Sequence, residues 1–119
     1  MAASYTITVP GTAEYLITLR LFVGAVARSA GLDEALVGDL KLAVSEIATA
    51  AMVSGLPAVD LIIEDGEGII SIHLPMPVSP SDDDIDHLDV ARALFDGSVE
   101  SRDDRVVLTM ASPGGEGGG

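Results

Sequence analysis

Two amphipathic helical stretches in succession, two β-hairpins and a short helix between the hairpins predict an α/β (α+β) two-layer sandwich. In it a mixed, mostly antiparallel sheet is covered on one face by helices. The predicted order is β-α-α-β-β-α-β-β. At 119 residues the chain suits one compact domain, and with 48% hydrophobic but only 3% aromatic residues its core has to be aliphatic.

Residues 4–9, SYTITV, alternate as a strand does, and Pro10-Gly11-Thr12 follows as a turn that places Thr12 to cap a helix. Tyr15, Leu16, Leu19, Phe22, Val23 and Val26 then recur on one helical face, and Gly31 ends that helix. Asp33 offers its side chain to the free N–H groups of a second helix, whose apolar line is Leu36, Leu40, Val44, Ile47 and Ala51. Ser54-Gly55 stops it, with Pro57 just beyond. Residues 59–74 are two β-branched runs joined by Glu64-Asp65-Gly66-Glu67-Gly68, a hairpin because glycine tolerates positive φ. Residues 75–86, PMPVSPSDDDID, hold three prolines and read as an irregular acidic loop. Residues 87–97 then form a short helix with Leu88, Ala91, Leu94 and Phe95 on its apolar face, ended by Gly97. Residues 98–101 and 105–110 bracket Arg102-Asp103-Asp104 as a closing hairpin. The domain is expected to span residues 1–111, with residues 112–119 as a flexible Gly-rich tail.

Nineteen acidic against six basic residues give a formal charge of −13, which repels nucleic-acid phosphates and anionic membrane surfaces and steers the chain toward a basic protein partner. The lack of cysteine excludes thiol catalysis and thiolate metal sites and fits a reducing compartment. Residues 1–10 lack the basic and apolar regions of a signal peptide, and the longest apolar run, residues 15–27, is short of the roughly 20 residues a membrane span needs. A cytoplasmic protein is expected.

Residues 20–55, RLFVGAVARSAGLDEALVGDLKLAVSEIATAAMVSG, resemble the first two helices of bacterial anti-sigma factor serine kinases. These are small members of the GHKL superfamily, the gyrase, histidine-kinase and chaperone ATPase domains. LDVARALFDGSVES and RVVLTMA are similar to the last helix and closing strands of the same domains, so the resemblance covers about residues 4–111. It implies a histidine kinase-like ATPase fold. In that family one helix carries a glutamate base and, four residues later, an asparagine that ligates Mg²⁺; positions i and i+4 share a face. Glu46 matches the base, whereas the asparagine position is Ala50, which has no oxygen to offer. The family's polar position before a glycine falls on Ser54. The Asp-x-Gly-x-Gly that holds adenine falls on Leu74, Met76 and Val78, and the Gly-x-Gly-Leu turn near the phosphates on Ile85, Asp86, His87 and Leu88. Losing about three contacts of ~1.5–3 kcal/mol each weakens binding on the order of a thousandfold or more.

Other residues have plainer readings. Glu46 is a vestigial base, solvated or paired. Asp82, Asp84 and Asp86 have the first spacings of a calcium loop, but His87 stands where that loop needs Gly and Ala93 where it needs Glu. His73 and His87 have no partner visible in sequence, and Arg20 and Arg28 read as surface charges. What the resemblance implies is a regulatory protein-binding domain with a degenerate ATP site, expected to use no cofactor and no metal. It would hold a sigma factor or an antagonist and pair as a homodimer, with residues 12–28 and the acidic loop 82–86 as contact surfaces. The rival reading is an active ATP-dependent serine/threonine kinase using ATP and Mg²⁺ with Glu46 as base; a third is a structural, oligomer-forming subunit.

Overall fold

The computed structural model describes residues 2–77, 79–95 and 97–113. Its elements are β1 (Ala3–Pro10), a single 3₁₀ turn (Ala13–Tyr15), α1 (Leu16–Ser29), α2 (Glu34–Val53), β2 (Ala58–Gly66), β3 (Ile69–Pro75), α3 (Asp82–Leu94), β4 (Ser98–Arg102) and β5 (Arg105–Ala111). The order is the one the sequence predicts. The strands form a sheet in the order β1-β2-β3-β5-β4. Every neighbouring pair among the described residues is antiparallel, so the mixed pairing allowed by the sequence reading does not occur.

Alternation along the strands makes the sheet one-sided. Val59, Leu61 and Ile63 of β2, Ile70, Ile72 and Leu74 of β3, and Val106 and Leu108 of β5 are buried against the helices. Leu19, Val23 and Val26 of α1 and Leu40, Val44 and Ile47 of α2 close the layer from above. Ser4, Thr6, Thr8, Asp60 and Glu64 stay exposed on the other face.

Local chemistry sets most boundaries. Asp33 caps α2 as expected, accepting from the Leu36 N–H at 2.9 Å. Thr12 does not cap with its side chain; its hydroxyl turns to Glu14, and the helix enters through the 3₁₀ turn instead. Gly55, with φ of +89°, ends α2 in the left-handed region where a Cβ would strain the backbone. The β2–β3 turn is tighter than the sequence suggests: Gly66 pairs with Ile69 inside the ladder, and Glu67 and Gly68 alone turn the chain, at φ of +56° and +79°.

The largest departure is at the third helix. Residues 82–86 are not a loop but the first turn of α3. Ser81 caps it, and Asp84 returns the bond to the Ser81 backbone N–H, a capping box that overrides the proline-rich approach. Three aspartates in that first turn also favour the positive end of the helix dipole. At the other end of the chain, Ser112 belongs to the fold: it is buried, its N–H donates to Gly68 and its hydroxyl to Asp65 at 2.9 Å. Residues 114–119 of the expected tail lie outside the described residues.

Candidate functional site

Glu46, Ala50 and Ser54 recur every four residues and so line one face of α2. α3 runs antiparallel along that face and is tied to it at both ends. Toward the start of the face, His87 Nδ1 lies 3.0 Å from Glu46 Oε1. A carboxylate only accepts, so the tautomer with the proton on Nδ1 is the one that makes this bond. Toward its end, the Ser54 hydroxyl donates to Asp84 Oδ1 at 2.7 Å, while Asp84 Oδ2 accepts from the Ser81 N–H at 2.8 Å. Halfway between the two ties, Ala50 has no exposed surface at all. Leu88 and Ala91 of α3 are buried beside this seam.

Asp84 is 3% exposed yet stays an acid of low pKa. Burial alone would push its carboxyl up. The bonds it accepts from the Ser81 backbone and the Ser54 and Ser81 hydroxyls, together with the nearby His87, outweigh that and hold it below its ordinary 3.8.

The other positions singled out from sequence divide clearly. Leu74 and Met76 are core residues, 0% and 2% exposed, with the Met76 N–H bonded to Asp104 O of the closing hairpin at 2.8 Å. Ile85 points away from the seam, 43% exposed, and Val78 lies outside the described residues. His87 sits in the helix body rather than at its start, and it has the partner that sequence could not reveal. Asp82 and Asp86 are exposed while Asp84 turns inward, so the calcium-like spacing does not converge on one point. Among the described residues no three acidic or histidine side chains are grouped to hold a metal ion. His73 lies on the open sheet face, its Nε2 3.2 Å from Glu64 Oε1. Only residues 76–81 join β3 to α3, about 20 Å if fully extended.

Arg20 is not the plain surface charge expected of it. Its Nε donates to Ser45 Oγ at 2.6 Å across the α1–α2 junction. With Gly38, Asp39, Lys41 and Leu42 it lines an open groove of about 450 Å³. Arg28 by contrast is engaged by Glu34 at 2.9 Å. Ile17 and Leu21 of α1 and Leu42 of α2 are 64%, 67% and 51% exposed, and Leu42 lines the same groove. None of these features carries a sequence motif; residues 12–28 are expected as a contact surface only from the family resemblance.

No family model and no curated protein matches the chain. Its fold does match a solved one. The crystal structure of the RsbU and RsbW domains of Rv1364c from Mycobacterium tuberculosis superposes with a TM-score of 0.64 at 18% identity, over 92% of this chain. That likeness establishes the two-layer α+β fold. The chain spans about a third of the length of the matched structure, 32%. No helix among the described residues is long and apolar enough to cross a membrane.

Proposed function

We propose that the chain is a regulatory, protein-binding domain of the anti-sigma type whose former nucleotide face is closed by its own third helix. The observation that carries this reading is the buried Ala50 between the Glu46–His87 and Ser54–Asp84 ties. The resemblance places a metal-ligating asparagine at Ala50 and a base at Glu46. Here the first position offers only a methyl group, and the second spends its carboxylate on His87. The polar atoms that would meet a triphosphate are bonded within the protein, and Leu74 and Met76 fill the adenine positions with core side chains.

A domain of this kind acts by holding a partner, and the outer surface of α1 and α2 suits that task. Ile17, Leu21 and Leu42 supply apolar contact area. Arg20 and Lys41 have no carboxylate within ion-pair distance among the described residues, although the chain has 19 acids. Although the net charge of −13 favours a basic partner overall, these local unpaired cations beside exposed leucines fit a sigma factor or antagonist that presents an apolar surface with acidic residues at this patch. The resemblance further implies a cytoplasmic setting and pairing with a second copy through the first-helix region.

Affinity capture with the tagged full chain, followed by identification of what it retains, tests this. A sigma factor or its antagonist is expected in the eluate of the natural chain and is expected to be lost with Leu21→Asp and Lys41→Glu together. Retention unaffected by those substitutions, or recovery of the chain alone, contradicts the reading.

A further inference from the structure

The sheet has two edges, and they are built differently. β4 is five residues long and carries Glu100 and Arg102, the short charged form that resists pairing with other chains. β1 has eight residues, Ala3–Pro10, and no charged side chain. Its register with β2 runs unbroken from Ala3↔Asp65 to Pro10↔Ala58, so no bulge twists it away, and its proline stands only at the last position. Among the described residues no other backbone or side chain bonds to its outer row of N–H and C=O groups. Such an edge is a template for one more strand.

The chemistry around the edge selects what would pair with it. On the open face, Ser4 and Thr8 of β1 stand opposite Glu64 and Asp60 of β2. β1, β2 and β3 together contain no lysine or arginine; their one basic side chain, His73, stands 3.2 Å from Glu64, while Asp60 accepts from the Thr8 hydroxyl at 2.8 Å and pairs with no cation among the described residues. An added strand puts its own open-face side chains about 10 Å from those carboxylates, two strand spacings away and within the joint reach of long basic and acidic side chains. On the helix side, Tyr5 and Ile7 are only partly buried and would pack against apolar residues of the newcomer. A second copy of β1 carries no base to meet these acids and brings its own Glu64 and Asp60 toward them.

We propose that the free edge of β1 takes an extended segment of a partner protein, with basic and apolar residues in alternation, as a sixth strand antiparallel or parallel to β1. The surface is separate from the outer face of α1 and α2, and the proposal does not depend on the reading given for that face.

The test uses the full chain, labelled for NMR, and a blocked peptide of about eight residues that alternates lysine with valine. The expected result is slowed hydrogen exchange and shifted resonances confined to β1 and the ends of β2. Binding should be about tenfold or more tighter than for the glutamate–valine counterpart, and weaker as salt is raised. Asp60→Asn with Glu64→Gln, both at exposed positions, should weaken binding several-fold while resonances beyond the substituted residues and their partners Thr8 and His73 are unchanged. Equal binding of the two peptides, no protection in β1, or protection that rises with protein concentration alone overturns the proposal; the last outcome would assign the edge to a second copy.

Discussion

His87 Nδ1 lies 3.0 Å from Glu46 Oε1, so the glutamate that the family resemblance would make a base is bonded to a histidine from α3. Both side chains are about one-third exposed or less, 28% and 33%, and join elements 41 residues apart in sequence. A double-mutant cycle with Glu46→Gln and His87→Ala, read by chemical denaturation, should give a coupling of about 0.5–1 kcal/mol. Additive single effects would mean that the pair does not tie α3 to α2.

Asp84 should matter more. Asp84→Ala removes half of the capping box and leaves the Ser54 hydroxyl unpaired, with an expected loss of about 1–3 kcal/mol in denaturant unfolding. Asp84→Asn keeps the size and loses the charge. Because the folded-state pKa of Asp84 is depressed, its contribution is fully present above the unfolded value and is lost as pH falls through the folded one. The stability gap between the natural chain and Asp84→Asn should therefore be constant above about pH 5 and shrink below about pH 4. A gap that widens on acidification would contradict this.

Gly11 tests the corner where β1 turns into the helical layer. Its N–H donates to Pro57 O at 2.9 Å, and a Cβ there would run into the backbone carbonyl of Leu56. Backbone cannot swing aside as a side chain can, so Gly11→Ala should lower stability by about 1–3 kcal/mol. Gly38, where a Cβ meets nothing within 4 Å, is the control, and Gly38→Ala should be neutral or stabilising, by up to about 1 kcal/mol. Thermal melts of both variants check the contrast.

The fold was legible because its signals are local. The apolar lines of α1 and α2, the Asp33 cap and the stop at Gly55 each depend on residues within a turn or two of one another. The start of α3 was obscured because three prolines and an aspartate run look like loop, while the decisive signal, Ser81 followed three residues later by Asp84, lay inside that run. The candidate site was half legible. Residue types at Glu46 and Ala50 could be compared with a family pattern, but the bonds Glu46–His87, Ser54–Asp84 and Arg20–Ser45 join distant segments and follow only from how the helices pack. His87 looked partnerless for that reason alone.

Ala50→Asn supplies in composition, but not in space, the amide that the family resemblance expects at this position. The position is fully buried, so the larger polar side chain should destabilise the fold by about 2–4 kcal/mol through overpacking and an unsatisfied amide. Denaturation of this variant, with and without ATP and Mg²⁺, should show the loss and no rescue by nucleotide. Rescue would mean that α3 yields the face readily.

Calorimetric titration of the full chain with ATP and Mg²⁺ bears most directly on the proposed closure by α3 of the face that carries Glu46 and Ala50. No saturable heat is expected up to millimolar nucleotide. Micromolar binding that disappears in Glu46→Ala would contradict the closed face and restore the kinase reading.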